Sequence, residues 1–329
     1  MSFAHVVGHS RPLAILRRAL ASARVAHAYL FAGPDGVGKA TVAREFSKAL
    51  LCGVLAEDSC DQCNACRKVS DRNHPDAVTI EPEGTQIVVG QVREMQRSMV
   101  YRPLEGRWRA FILDQAHDLN PQAANALLKA LEEPPDGNVL ILVARSTASL
   151  LPTLVSRCQV VHFSPLSISE VARYLQERGG WDVEAAQRAA VHSQGSIGKA
   201  LSLKEDPLPG LAAEVAGFLG EVAGLRSAQI LERADAWAGG RKEVLLRLEF
   251  LQGVFRDLVF LRLGREDVDR QELKEPLRAM AALWSLSQLV RGWEGVNAAI
   301  RGVERNWNPH LVMEELLFGM WEMKGGERT

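Results

Sequence analysis

The stretch from residue 28 to residue 51 constrains the fold more than any other part of the chain. It reads AYLFAGPDGVGKATVAREFSKALL, a strand-like apolar run followed by a glycine-rich loop and an amphipathic helix. Gly33, Gly36 and Gly38 let backbone N–H groups turn inward, and Lys39 at the positive end of the helix can reach an anion. The pattern predicts a phosphate-binding loop. The alternative is a glycine turn that only joins a strand to a helix.

This loop lacks one part of a complete nucleotide-binding loop. The residue after the lysine is normally Ser or Thr, whose hydroxyl binds Mg²⁺, and here it is Ala40. Thr41 is no substitute, because one step along a helix rotates the side chain by about 100°. The sequence therefore predicts weak or absent hydrolysis and leaves the binding of ATP with Mg²⁺ open.

A second nucleotide-site element is incomplete in the same way. The apolar strand WRAFIL ends at Asp114, which matches an acid that holds the Mg²⁺ shell, although an ordinary strand-end acid is the alternative. The next residue, Gln115, keeps the shape of Glu but has no charge to accept a proton, so it cannot be a general base. The candidate nucleotide-contacting residues are Gly33, Gly36, Gly38, Lys39, Ala40, Thr41 and Asp114.

Four of the five cysteines crowd into fifteen residues, at Cys52, Cys60, Cys63 and Cys66. In a cytosolic chain such a cluster indicates metal binding rather than disulfides, and four thiolates close a tetrahedral structural zinc site. Two CxxC units that share Cys63 cannot both lie on one rigid helix, so we expect a knuckle-like loop between helices. The alternatives are an iron–sulfur cluster or four reduced thiols. His74 lies nearby in sequence but is not needed as a ligand.

Length and composition narrow the class of protein. The chain has 329 residues, 47% of them hydrophobic, and a formal net charge of −1, which predicts two or three domains and no general nucleic-acid-binding charge. It has no leader-like segment and no apolar run of membrane-spanning length. The expectation is a soluble, cytoplasmic protein without a membrane partner.

Strand and helix patterns alternate up to residue 163, and only helix patterns follow. The apolar runs predict strands at 28–32, 77–80, 108–113, 138–143 and 159–163, with a further short strand at Ile87 that leads into a helix. This order predicts an α/β fold with a doubly wound parallel sheet, followed by an all-α part. The predicted domains are 1–165 with the cysteine insertion, a small helical lid at 166–206 with a linker around Pro207, and a helical domain at 207–329.

Several motifs in a fixed order resemble one family, the clamp-loader subunits of bacterial DNA polymerase III, which are AAA+ proteins. The matching segments of this sequence are HAYLF at 27–31, the four cysteines followed by HPD at 74–76, NALLKALEEPP at 125–135, LPTLVSRC at 151–158, GSIGKAL at 195–201 and NWNP at 306–309. The resemblance covers about the first 200 residues and a short C-terminal stretch.

Departures from the family pattern indicate which member the chain resembles. The ATP-hydrolysing gamma/tau subunit has Ser or Thr, Glu and Arg where this chain has Ala40, Gln115 and Gly198. The chain is therefore similar to the delta-prime type, which hydrolyses little and lends the arginine of its Ser-Arg-Cys motif, here Arg157, to a neighbouring site. A surface arginine at a helix end is the alternative for Arg157 without the resemblance.

The resemblance also implies partners. These are the gamma/tau and delta subunits and, through the assembly, the sliding clamp and primed DNA, with the last helical domain as the assembly collar. Two other functions stay open at this point: an active gamma/tau ATPase, and a stand-alone DNA-binding module stabilised by zinc.

Overall fold

The computed structural model describes residues 2–55, 57–203, 208–266, 268, 273–305 and 307–325. The chain forms two compact units, Met1–Ser202 and Leu203–Thr329. The three predicted domains and the border after residue 165 stay a prediction. The second predicted border, at 206 and Pro207, lies outside the described residues.

Five parallel strands form the sheet of the first unit: β1 Ala28–Ala32, β2 Ala77–Ile80, β3 Arg109–Leu113, β4 Asn138–Ala144 and β5 Gln159–His162. Their order across the sheet is β2-β3-β4-β1-β5, and every neighbouring pair is parallel. The predicted doubly wound sheet is thereby confirmed. The three central strands are buried along their whole length, as expected for a parallel sheet covered by helices on both faces.

Nine helices accompany the sheet within the described part of the first unit: α1 Ser10–Ala21, α2 Lys39–Leu51, α3 Asn64–Ser70, α4 Val89–Met99, α5 Pro121–Glu132, α6 Pro152–Val155, α7 Ile168–Gly179, α8 Val183–His192 and α9 Ile197–Ser202. Local sequence sets their starts. Asn120 caps α5 by accepting the N–H of Ala123 at 2.8 Å, and Ser167 and Glu170 form a capping box at α7.

Alternate residues along each strand enter different cores, because successive strand side chains point to opposite faces. Leu30 and Leu140 pack on the face covered by α4 and α5, whereas Phe31 and Val139 pack on the face covered by α1 and α2. The loops at the strand ends therefore extend from a rigid centre.

Two sequence-based boundaries need correction. Ile87 forms only a single parallel bridge with Leu119 and no strand, because its neighbour is the loop after β3 rather than another strand. The apolar spacing of this segment predicts a first helix from Pro12 to Ala23. The helix instead runs over Ser10–Ala21, because Ala23 has a left-handed φ of 52° that a helix cannot include.

The second unit is helical throughout its described residues, as predicted: α10 Leu208–Glu221, α11 Ser227–Trp237, α12 Arg241–Arg262, α13 Lys274–Leu283, α14 Leu286–Glu304 and α15 Pro309–Met323. Trp237 and Trp284 are buried core residues, and the indole N–H of Trp284 donates to the Leu219 carbonyl. Asn306, part of the C-terminal motif, lies outside the described residues. Among the helices that are described, none has the length and apolarity needed to cross a bilayer.

Candidate functional site

The glycine-rich loop connects β1 to α2 at the carboxyl edge of the sheet. Gly36 and Gly38 have φ values of 70° and 108°, in the region that favours glycine, and Gly38 is the N-terminal cap residue of α2. A Cβ on Gly33 would lie 2.2 Å from the Phe163 carbonyl oxygen. The three glycines are therefore required by the loop's own geometry.

Lys39 is buried and folds back over the loop. Its Nζ donates to the carbonyls of Gly33 and Pro34, both at 2.6 Å, and lies 3.7 Å from a carboxylate oxygen of Asp35. Burial lowers the pKa of Lys39, and the carboxylates of Asp35 and Asp114 oppose that shift. The site thus holds a cation beneath the start of a helix, which is an arrangement suited to an anionic group.

A cavity of about 810 Å³ opens beside the loop. Its lining includes six of the seven predicted nucleotide-contacting residues: Gly36, Gly38, Lys39, Ala40, Thr41 and Asp114. Gly33 lies beneath the loop against Phe163 and is not part of the lining. Val6, Val7, Ile197 and Leu201 add apolar side chains to the lining. The cavity is therefore lined by both polar and apolar groups.

Asp114 faces this cavity from the end of β3. Burial raises the pKa of Asp114, and the backbone N–H of Gln115, which donates to its Oδ1 at 2.9 Å, opposes the shift. Gln115 has a left-handed φ of 53° and lines the cavity as well.

Sequence reasoning did not single out His117, which also lines the cavity. Both ring nitrogens of His117 are buried without a hydrogen-bond partner among the described residues, and burial lowers its pKa. In the sequence, its position three residues after Asp114 is the feature that could have placed it near the same strand end.

The segment that carries Gly198 packs directly on the loop. The N–H of Gly198 donates to the Gly36 carbonyl at 2.9 Å, and a Cβ on Gly36 would lie 2.3 Å from the Ser196 hydroxyl oxygen. A Cβ on Gly198 would lie 2.9 Å from the Gly36 Cα. An arginine therefore could not replace Gly198 without a shift of this backbone.

The four predicted cysteines form one cluster away from the loop. Cys52 caps the end of α2, Cys63 caps the start of α3, and Cys66 lies within α3, so the segment is the predicted knuckle between helices. One ligand atom from each cysteine lies within 4.8 Å of all the others, and the sulfurs of Cys60 and Cys66 are 3.9 Å apart. All four are free thiols rather than disulfides.

The pKa values of two thiols in the cluster are shifted in opposite directions. Backbone N–H groups of Gln62 and Cys63 lower the pKa of the Cys60 thiol to about 6. Burial raises the pKa of Cys66. Tetrahedral zinc with Zn–S bonds of about 2.3 Å places sulfurs roughly 3.8 Å apart, which agrees with the Cys60–Cys66 spacing. The donor set and its size fit a zinc ion.

A buried lysine joins the cysteine loop to α2. Lys48 is 1% exposed, and its Nζ lies 2.6 Å from a carboxylate oxygen of Glu45 and 2.5 Å from one of Asp61. Asp61 lies between two of the cysteines and has a left-handed φ of 59°. The knuckle is therefore anchored to the same helix that begins at the glycine-rich loop.

Arg157 lies at the other edge of the sheet. It precedes β5, whereas the glycine-rich loop follows β1, and the register pairs Tyr29 with Gln159 and Ala32 with His162. The start of β5, next to Arg157, and the end of β1, next to the glycine-rich loop, are therefore three residues apart along the strand direction, which is about 10 Å. Arg157 is not part of the cavity lining, so the structure does not bring it together with the loop of its own chain.

Comparison with known proteins gives consistent matches. The family described as DNA polymerase III, delta subunit, matches residues 8–167. The DNA polymerase III subunit delta' of Bacillus subtilis is 26% identical over 318 residues, covering 95% of this chain and 96% of that protein. The delta' subunit of Pseudomonas aeruginosa is 41% identical over 139 residues, covering 41% of this chain and 42% of that protein.

For other relatives, the match covers a smaller share of the relative's length. The tau/gamma subunit of Haemophilus influenzae is 34% identical over 214 residues, which is 63% of this chain but 31% of that protein. The chain thus spans less than a third of this relative, whereas it covers 96% of the Bacillus delta' subunit. By these matches the chain is similar to subunits of DNA polymerase III, and its similarity to the delta' subunit of Bacillus subtilis extends over 95% of the chain.

Proposed function

We propose that this chain is a largely non-hydrolysing clamp-loader subunit that supplies Arg157 to the ATP site of a neighbouring gamma/tau subunit. In this proposal it assembles with gamma/tau and delta, and the assembly opens the sliding clamp and places it on primed DNA. Residues 1–165 would be the ATPase-like domain, 166–206 its lid and 207–329 the collar. The observation that carries the proposal is the position of Arg157, whose partly exposed side chain lies at the end of the sheet opposite to the chain's own glycine-rich loop.

Three differences support a subunit that hydrolyses little. Ala40 offers no hydroxyl for Mg²⁺, Gln115 cannot accept a proton, and Gly198 places backbone where the motor relatives have an arginine. Loss of a positioned base alone typically costs two to four powers of ten in rate. The three differences together are expected to leave this site with little turnover.

Arg157 has the chemistry for the role proposed for it. Phosphoryl transfer spreads negative charge over three equatorial oxygens, and a planar, permanently charged guanidinium can bind two of them. An arginine supplied from a neighbouring protein is worth about 10³- to 10⁵-fold in known cases. Because Arg157 is remote from its own loop, only another chain's nucleotide could use it.

The test is the ATP turnover of an assembly reconstituted with Arg157→Ala. Turnover stimulated by DNA and clamp is expected to fall while assembly itself, measured by size-exclusion chromatography, is unchanged. Arg157→Lys should also be slow, because an ammonium cannot make the paired contacts. Arg24→Ala removes another exposed arginine and should have no effect. Full turnover by the Arg157→Ala assembly would refute the proposal.

The cavity supports a second role, the holding of a nucleotide without hydrolysis. Its volume, the buried Lys39 and the carboxylate of Asp114 are suited to a nucleoside phosphate with Mg²⁺. Calorimetric titration with ATP and Mg²⁺ should give heat with the natural chain and none with Lys39→Ala. No heat from the natural chain at high micromolar concentration would show that the loop has lost this role.

The cysteine cluster supports a structural zinc ion held by Cys52, Cys60, Cys63 and Cys66. A site closed by four thiolates has no open position for water, so zinc there would stabilise the knuckle and not act on a substrate. Elemental analysis of the purified chain should give one zinc per chain. Absence of zinc, together with four thiols that react with a reagent while the fold persists, would contradict this assignment.

A further inference from the structure

The two consecutive glutamates at the end of α5 have no part in the proposed function described so far. One of them contacts the arginine. Glu132, the last residue of α5, has its Oε1 2.7 Å from Nη2 of Arg157. The two residues are 25 apart in sequence, and the ion pair is formed by two motifs that the sequence analysis recognised separately.

The guanidinium of Arg157 is also held from a second side. Its Nη1 donates to the Thr153 carbonyl at 3.0 Å and lies 3.4 Å from the Ser156 hydroxyl oxygen. The contacts therefore come from α5 on one side and from the α6 turn on the other. Since the side chain stays 35% exposed, part of it remains accessible to another molecule.

The end of α5 is itself fixed in place. Pro134 and Pro135 stop the helix, and the buried side chain of Asn138, at the start of β4, donates to the Pro135 carbonyl at 3.0 Å and to the Met99 carbonyl at 3.1 Å. Glu132 is thus presented from a helix end that the sheet holds rigidly.

We propose that Glu132 is a positioning residue for Arg157, and this proposal rests on the proposed function. A free arginine samples many rotamers, and the loss of that freedom on binding costs affinity and rate. The contacts with Glu132 and the α6 turn restrict the guanidinium before a neighbour arrives. Because an exposed ion pair is weak in water, the carboxylate does not prevent the cation from binding phosphate oxygens as well.

The test uses the assembly reconstituted with variants of this chain and measures kcat and KM for ATP. Glu132→Ala is expected to lower kcat about tenfold with KM changed less than twofold, because a small misplacement of a catalytic group reduces rate. Glu132→Gln keeps an oxygen that can accept from Nη2 and should restore most of the rate. Glu133→Ala is the matched control and should behave like the natural chain.

Combination with Arg157→Ala distinguishes positioning from a separate effect. If Glu132 acts only through Arg157, then Glu132→Ala should cause no further loss in an Arg157→Ala chain. An additive loss would overturn the proposal, and so would an unchanged rate in the single variant. A faster rate for Glu132→Ala would overturn it as well, because it would mean that the carboxylate holds the arginine back.

The outcomes also separate this proposal from the proposed function. If Arg157→Ala itself has no effect, the proposed function fails. If Arg157→Ala is slow and Glu132→Ala is not, only the positioning role fails. The melting temperature of each variant chain reports folding. If Glu132→Ala unfolds, Glu132→Leu replaces it, because leucine fills similar space without an acceptor for Nη2; a natural rate in a folded Glu132→Leu chain would overturn the positioning role.

Discussion

Asp76 is a fully buried carboxylate that organises the loop between α4 and β3. It pairs with Arg109, whose Nε and Nη2 both lie 2.8 Å from its Oδ1, and it accepts the N–H groups of Leu104 and Glu105 at 2.7 to 2.9 Å. Burial by itself raises the pKa of this group, but the two N–H groups and the guanidinium outweigh burial and hold the pKa below its ordinary value.

The change Asp76→Asn keeps the shape of the side chain and removes its charge. Arg109 is only 5% exposed, so its charge would lose the buried partner that balances it. Breaking a buried pair in this way typically costs 3–5 kcal/mol. Arg109 keeps its bonds to the carbonyls of Ser98, Tyr101 and Arg102, which favours the lower end, about 3 kcal/mol. For a unit of this size that is a fall of about 6–12 °C in Tm.

The Tm of the full chain is measured for each variant by differential scanning calorimetry. Asp71→Asn is the matched control, because Asp71 is an exposed acid five residues earlier, and its Tm should stay within about 1 °C of the natural chain. A fall of less than about 2 °C in the Tm of Asp76→Asn would show that the buried pair contributes little to the stability of the fold.

The same pair predicts a pH dependence with a definite sign. Because the pKa of Asp76 is lower in the folded chain than its ordinary value of 3.8, its stabilisation is fully present above that value and is lost as pH falls through the folded pKa. The difference in unfolding free energy between the natural chain and Asp76→Asn should therefore be constant near neutral pH and shrink below about pH 4. A difference that grows on acidification would contradict the assignment.

Two further predictions concern the cysteine cluster and the glycine-rich loop. Cys63→Ser should remove the bound zinc and lower the Tm, whereas Cys158→Ser, outside the cluster, should retain the zinc. Elemental analysis measures the zinc and calorimetry the Tm. Zinc retained by Cys63→Ser would show that Cys63 is not a ligand. Gly36→Ala should destabilise the chain by about 1–3 kcal/mol, because of its left-handed φ and the nearby Ser196 hydroxyl, whereas Gly90→Ala in α4 has open space and should be neutral or stabilising. Equal urea midpoints for the two glycine variants would show that the loop conformation carries no strain.

Patterns confined to one segment predicted the fold well. The ends of β1 and β2 coincide with the predicted ones, because each is a short run of strand-favouring residues that turn or loop residues follow. Ile87 was predicted wrongly as a strand, since its buried apolar side chain gives the same local signal whether or not a partner strand exists. Whether such a residue forms a strand depends on the segment that lies beside it in the fold, and the local sequence pattern carries no information about that segment.

The candidate site was predictable only in its separate parts. The glycines, Lys39 and Asp114 follow from motifs, and the shared carboxyl edge of a parallel sheet brings them together. The contact of Glu132 with Arg157 depends on the packing of α5 against α6 and could not be read from spacing. The same holds for Gly198, whose close approach to Gly36 gives a steric reason for a residue that the sequence showed only as a missing arginine.

In the proposed function, this chain assists a neighbouring ATP site and turns over little or no ATP itself. The most direct measurement is steady-state ATP turnover by the purified chain alone, with DNA and clamp present, beside the same amount of a gamma/tau subunit. We expect a rate for this chain at least about 10²-fold below that of gamma/tau, as the loss of a general base alone would give. A rate for the isolated chain comparable to that of gamma/tau would contradict the proposed function.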